Sequence, residues 1–505
     1  MATGGREAEF FSGDQQDVDV RTLGGKARLP YPWGSRKNNG GPMSRVQLKE
    51  IKLPDFGVPD QIPVIKDSVY QTRHEQLRTR MTEMGLGALI VYADREHTAN
   101  FTFLTGFDPR FEEAILILVK GRDPLIVTGP ENLGRARDSK IGGGALLYPP
   151  FGLLGQDRTK TPALYDLLAD AGLGKGQVIG VAGWKYFNSE ETPEFETWSE
   201  VPSFIIDTLR RLVSESGRVV NAGRIFMESE TGLRAINDVD QIAQFEFAAS
   251  HASEAIKRVL FGLRPGLREM EAARLMALGQ YPLSAHPMLS SGKHAYVGLE
   301  SPGDRIINKG DPITMAIGLW GGLTARAGWV AESADDLPDA ARDYVSRLAA
   351  PYFDTAAAWY EMMEIGVSGG DLYRMVWDRL GDPFFGLILN PGHLIHIDEW
   401  MNTPIYRNST ETLRSHQAVQ LDIIPATGSA YFTTNIEDGI ALLDEKGRAA
   451  FAEAYPDAWQ RIQARRAFMA DILGINLKSE TLPLSNLAGY LAPFFLAPKL
   501  AFVRK

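Results

Sequence analysis

Hydrophobic periodicity divides the chain into two stretches with different patterns. The polar amphipathic segment SVYQTRHEQLRTRMTEMGLG predicts a helix, and the apolar runs ALIVYA, AILILV and PLIVTG that follow it predict three strands separated by turns. LYDLLADAGLG reads as a helix closed by glycine, VIGVAG as a buried strand, and SFIIDTLRRLV as another helix. Residues 56–230 are therefore expected to form an α/β domain.

Beyond Leu233 the pattern changes to long helices. RAINDVDQIAQFEFAASHASEAIKRVLFGLRPG predicts one, followed by the short REMEAARLMALG and then by the strand-like ITMAIGLWGGLTARAGWV. The same order returns with ARDYVSRLAAPYFDTAAAWYEMMEIGVSGG, DLYRMVWDRLG, AVQLDIIPA and YFTTNIEDGIALL. Residues 231–475 thus read as an α+β domain made of a duplicated helix, helix and antiparallel-strand unit, with room for a cleft between the halves.

The ends read differently. Residues 1–55 lack either periodicity and are expected to form an extended or mobile arm, with Phe10, Phe11, Tyr31 and Trp33 available to pin it. Residues 476–505 form an apolar tail interrupted by Pro493 and Pro498 and closed by Arg504 and Lys505, expected to dock across a subunit interface.

Composition narrows the chemistry. Fifty-three basic against 63 acidic residues give a formal charge of −10, which offers no general attraction to nucleic acid or to anionic lipid. The absence of cysteine removes disulfides, thiolate nucleophiles and zinc–cysteine sites, so any metal needs His and carboxylate ligands. With no secretory-type apolar run near the start and no stretch of about 18 apolar residues, a cytoplasmic location without a membrane partner is expected.

Several short motifs resemble the creatinase and aminopeptidase P family in order and spacing. They are FLTGF at Phe103–Phe107, GLRPG, HPMLSSGKHA, NKGDPITMAIG, NPGHLIH, SHQAVQLDIIP and NIEDGIAL. The resemblance covers about residues 60–475 and implies a pita-bread C-terminal domain, a homodimer, and a small-molecule or short-peptide substrate. Metal-dependent members of that family hold two divalent ions with two Asp, one His and two Glu. Carried over by spacing, the first Asp falls on Ala316 and the second on Arg326, the His on His393, and the two Glu on Asp422 and Glu437. A guanidinium beside carboxylates repels a second cation. The resemblance therefore implies no metal cofactor, with Mn or Zn on shifted ligands such as Asp304 or Asp311 as the alternative.

What remains suits metal-independent acid/base hydrolysis of a C–N bond in an amide, peptide or amidine. His393, Glu437 and Asp422 are the expected catalytic groups, since an imidazole exchanges protons near neutrality and a carboxylate can orient it. Arg326 is expected to hold a substrate carboxylate or oxyanion, or else to fill the vacated metal position by pairing with an acid. In GHLIHIDEW, His396 and Glu399 are expected to touch substrate, with His393, Ile395, Ile397 and Glu399 on one face of an extended segment. Leu299 stands where the family's substrate His belongs, so His294 or His286 is expected to substitute. Arg95 and Arg110 are candidates for an acidic group on the substrate. A binding protein without turnover, and a conventional Xaa-Pro peptidase, are the competing readings.

Overall fold

The computed structural model describes residues 46–279, 281–296 and 298–505. The arm's aromatic candidates Phe10, Phe11, Tyr31 and Trp33 lie outside these residues. Within the expected arm, strand β1 (Val46–Glu50) is ordered, and it pairs antiparallel with the last strand of the chain.

The N-terminal domain is built on a six-stranded sheet of β2 (Ala88–Ala93), β3 (Ala114–Val119), β4 (Leu125–Thr128), β5 (Gly144–Leu147), β6 (Val178–Ala182) and β7 (Arg218–Asn221). Their order is β5-β4-β3-β2-β6-β7, so β2 is central, antiparallel to β3 and parallel to β6. Covered on both faces, β2 has all six side chains buried, which is why ALIVYA reads as an uninterrupted apolar run. Helices Leu164–Asp170 and Ser203–Val213 cover one face through Leu168, Ile205 and Leu209. Leu89, Val91 and Leu116 on the other face join the large core that continues into the second domain.

In the C-terminal domain the helix Val239–Gly262 is N-capped by Asp238, which accepts from the Gln241 amide at 2.8 Å. Strands β8 (Leu283–Ser291), β9 (Pro312–Leu319) and β10 (Gly322–Trp329) follow, and then the helices Ala350–Met362 and Gly369–Leu380. Next come β11 (His393–Leu394), β12 (Ala418–Gln420), β13 (Asn435–Glu437), β14 (Gly439–Leu442), β15 (Thr481–Pro483) and β16 (Leu500–Arg504). Strands β8 to β15 make two four-stranded sheets, β13-β10-β9-β8 and β11-β12-β14-β15, and β16 pairs with β1. The chain crosses from one sheet to the other at a single residue, Asp438.

A two-residue turn, Trp320-Gly321, joins β9 to β10 and fixes their register. Gly321 has φ 95°, and a Cβ there would lie 2.1 Å from the Phe245 ring, so the tight turn depends on glycine at this position. The register that follows pairs Ala316 with Ala325 and Met315 with Arg326.

The tail differs from expectation. Leu487, Tyr490, Leu491, Phe494 and Phe495 are buried in this chain's own core. The Phe495 amide donates to the Trp329 carbonyl at 2.8 Å, and β16 closes on β1. Its apolar character is thus accounted for by packing within the chain. The helices Glu445–Ala454 and Pro456–Phe468 also stand between the strands and the tail, where the sequence pattern had suggested no separate element.

Candidate functional site

The site forms where the two sheets meet. His393 opens β11 opposite Gln420 and follows Gly392, whose φ of 139° and close approach to the Gln420 carbonyl and the Trp359 ring leave no room for a side chain. The imidazole is fully buried and stacks on Trp400, with ring centroids 4.2 Å apart. Its Nδ1 sits 3.2 Å from the Leu394 carbonyl, an arrangement that calls for the proton on Nδ1. Nε2 then faces acids: Glu399 Oε1 at 3.2 Å and Asp422 Oδ2 at 4.0 Å. His393 Nε2, Glu399 Oε1, Asp422 Oδ1 and the neighbouring Gln420 Oε1 are all buried without a hydrogen bond of good geometry among the described residues. Buried polar atoms ordinarily find partners, so such a concentration marks a place prepared for something else.

The electrostatics follow from crowding. Burial alone would lower the His393 pKa, but Glu399 and then Asp422 outweigh it and the net direction is upward from 6.5. Desolvation raises Asp422 to about 6, with Glu399 adding to the rise and His393 opposing it. Burial, reinforced by the charges of Asp422, Glu399 and Asp438, pushes Glu437 well above the carboxylate range. The crowding therefore holds His393 more readily protonated than a free imidazole and Glu437 more readily protonated than a free carboxyl.

Arg326 is not part of this cluster. Residues paired across antiparallel strands share a face, so Glu437 on β13 lies in a row with Ala325 on β10, Ala316 on β9 and Met288 on β8. Both positions facing Glu437 are therefore methyl groups. Arg326, one residue further, points to the opposite side, because strand side chains alternate. It is only 1% exposed, and it donates to Asp438 Oδ2 at 2.6 Å and to the Tyr490, Leu487 and Ala325 carbonyls. The expectation that it contacts substrate is corrected. It does pair with an acid, but the partner is Asp438 at the sheet crossing rather than Glu437 or Asp422.

The remaining candidates separate. Glu399 does reach His393, although through a turn rather than strand alternation, since β11 ends at Leu394. His396 is fully buried between the rings of Phe103 and Phe245, at 5.5 and 5.3 Å, with neither ring nitrogen hydrogen-bonded. Burial, then Arg234 and Arg73, hold its pKa well below 6.5, so it is a neutral packing residue and its expected substrate contact is corrected. His294 is about half exposed and pairs with Glu300 at 3.2 Å, away from the cluster, and His286 is exposed with Nε2 3.0 Å from the Leu299 carbonyl. Arg95 is exposed and lines no described cavity, whereas Arg110 lines a cavity between the two domains together with Arg234, Trp320 and Trp400. Sequence reasoning missed Trp400 and Arg234. The density of acids and aromatics in HIDEW was a signal for the first, but nothing in RAIND announced the second.

Residues 73–190 match the Creatinase/Prolidase N-terminal domain model. Three quarters of the chain resembles in fold Xaa-Pro dipeptidase from Bacillus anthracis, with a TM-score of 0.56 at 16% identity over 75% of this chain and 96% of that one. Prolidase from Thermococcus sibiricus gives 0.59 at 17% over 74% and 95%, and X-Pro aminopeptidase from Thermotoga maritima gives 0.55 at 15% over 74% and 95%. The chain carries a creatinase/prolidase N-terminal domain on a pita-bread body. No curated protein matches it in sequence.

The paired-metal arrangement that the resemblance implies for this pita-bread fold does not fit these residues. Its two aspartates would stand in the row facing Glu437, where Ala316 and Ala325 offer no donor atom. A single cation is a different matter. One donor atom each from His393, Glu399 and Glu437 lie within 4.8 Å of one another, and the bare Nε2 is among the groups left without a hydrogen bond.

Proposed function

We propose that the His393, Glu399, Asp422 and Glu437 cluster hydrolyses a C–N bond in a small amide, peptide or amidine, without a paired-metal centre. The observation that supports this reading is the orientation of His393: Nδ1 is engaged by a backbone carbonyl, and Nε2 is aimed at two carboxylates, 3.2 Å from Glu399 and 4.0 Å from Asp422. In its neutral form His393 removes a proton from water at Nε2, and Glu399 and Asp422 stabilise the imidazolium that results. The water oxygen bonds to the electrophilic carbon, the C–N bond breaks, and protonated Glu437 delivers its proton to the departing nitrogen. Arg326 takes no part and acts as a structural anchor.

A second reading is supported by the three donors within 4.8 Å: His393, Glu399 and Glu437 holding one divalent cation such as Mn or Zn. Such an ion would supply an acidified water at the same place. Elemental analysis with a hydrolysis screen over dipeptides, amidines and N-acyl amino acids tests both. Turnover that survives exhaustive chelation supports the metal-independent mechanism. Turnover lost to chelator and restored by one equivalent of Mn²⁺ or Zn²⁺ replaces it with the single-cation site, and absence of turnover across the screen leaves a binding role.

A further inference from the structure

The segment that carries Glu399 and Trp400 is a closed loop. Its neck is the bridge between Leu394 and Asn402, where the Leu394 amide donates to the Asn402 carbonyl at 2.7 Å and the Met401 amide to the Leu394 carbonyl at 3.1 Å. From Ile397 to Trp400 no backbone amide donates a hydrogen bond among the described residues, and the one backbone bond at the tip runs from the His396 amide to the Asp398 carbonyl at 3.1 Å. A loop so sparsely bonded does not hold a carboxylate in place by itself. Glu399 Oε1 has no hydrogen bond of good geometry either, although it faces His393 Nε2 at 3.2 Å. Its position is therefore set by whatever fixes the loop.

The restraints come from the N-terminal domain and the segment that follows it. Arg234, 1% exposed, gives Nη2 to Asp398 Oδ2 and Nη1 to Asn100 Oδ1, both at 2.6 Å. Asn100 lies on the helix Ala99–Thr105 and donates Nδ2 to the Gly183 carbonyl at 2.8 Å, just beyond β6, which turns its oxygen toward the guanidinium. Beyond the tip, the Asn402 side-chain amide donates to the Tyr186 hydroxyl at 2.9 Å and to the Met227 carbonyl at 2.8 Å. Asp398 and Trp400 thus flank Glu399, the first held by Arg234 and the second by its stack on His393.

We infer that Arg234 is a positioning residue of the hydrolytic site: by tying Asp398 to the N-terminal domain it holds the loop in the arrangement that aims Glu399 at His393. A planar, permanently charged fork with two acceptors in fixed directions suits that task, where the single point charge of an ammonium does not. Geometry of this kind matters to chemistry, since a displacement of about 1 Å in a reacting group costs about 10²-fold in rate. The N-terminal domain is thereby a working part of a site whose cluster is built from C-terminal residues. The catalytic half of this inference rests on the proposed hydrolase function; the clamp itself does not.

Arg234→Gln and Asp398→Asn in the full chain test it. Hydrogen exchange read by mass spectrometry is expected to accelerate by about tenfold or more in residues 395–402 of both variants, with β9 and β10 unchanged. The Asp398 side chain is 27% exposed, so its variant decides the matter should Arg234→Gln fail to fold. Unchanged exchange in Asp398→Asn, or acceleration spread through the sheets, overturns the clamp. With a substrate from the hydrolysis screen, kcat of each variant is expected to fall by about tenfold or more while KM stays within about threefold. In a Glu399→Gln background the same substitutions are expected to cost no more than about twofold, because the carboxylate they position is already gone. A loss confined to KM, or a loss of full size without Glu399, overturns the positioning role. Wild-type protein without turnover overturns the hydrolase reading alone and leaves the exchange result to judge the clamp.

Discussion

Glu437 and Asp438 are adjacent in sequence and both buried, yet they belong to opposite kinds of polar cluster. Asp438 receives Arg326, Ser485 at 2.5 Å and Thr324 at 3.4 Å, and Arg326 in turn satisfies backbone carbonyls from the tail. On the other face, the cluster around Glu437 gathers three carboxylates and one imidazole and leaves most of their facing atoms without hydrogen bonds. One cluster is complete and the other is not. A complete buried network holds the fold together, here by locking the crossing between two sheets, while an incomplete one stores unsatisfied charge that a proton, a substrate or a cation can relieve.

That contrast can be broken most severely by kinetics. His393→Ala is expected to reduce turnover of any substrate found by about 10²–10⁴-fold while the circular dichroism spectrum stays that of the wild type. Unchanged turnover would remove the imidazole from the chemistry. The next effect is on stability. Arg326→Ala leaves Asp438 charged and unpaired and is expected to cost about 3–5 kcal/mol in urea unfolding, whereas Glu437→Gln, which mimics the acid form, is expected to stay within about 1 kcal/mol. Equal losses would show that the two clusters play the same part.

Register supplies a sharper version. Because Ala316 and Ala325, not Arg326, share the face of Glu437, the double variant Ala316→Asp with Ala325→Asp is expected to gain Mn²⁺ binding in a calorimetric titration. Arg326→Asp is expected to gain none and to unfold more readily. Metal binding by Arg326→Asp would return the second ligand position to residue 326.

The smallest expected effect is on pH. In metal-free protein, native Asp422 retains its proton up to about 6, whereas the unfolded carboxyl releases it near 3.8. The native state therefore binds more protons in that window, and stability falls as pH rises through it. His393, raised above 6.5, acts in the same direction at higher pH: its contribution is complete below 6.5 and is lost as pH passes its native value. Unfolding midpoints measured from pH 4 to 8 should decline, and Asp422→Asn should flatten the acidic part of the slope. A stability that rises across the acidic window would contradict the burial of an uncompensated acid.

Much of the fold was written in local pattern. The run ALIVYA specified a strand, SFIIDTLRRLV a helix, and the repeated helix, helix and strand order marked the duplicated domain. His393, Asp422 and Glu437 were singled out by motif spacing and Glu399 by its place in GHLIHIDEW, and these four side chains lie together. Facing and partnership were not legible in the same way. Counting along the chain assigned Arg326 to the metal position, but a two-residue turn at Trp320-Gly321 shifts the pairing so that Ala325 occupies that face and Arg326 the other. With a side-chain period of two, a one-residue difference in spacing reverses every orientation. His396 was drawn to substrate by its proximity in sequence to His393, but it lies between rings contributed by Phe103 and Phe245, nearly 300 and about 150 residues away. The apolar tail and the Arg234 clamp likewise acquire their meaning from partners remote in sequence. Sequence by itself determined the elements and the inventory of reactive groups, because both depend on neighbours within a few residues. The tertiary structure decided which groups meet and which remain unsatisfied, because that depends on register and on long-range packing.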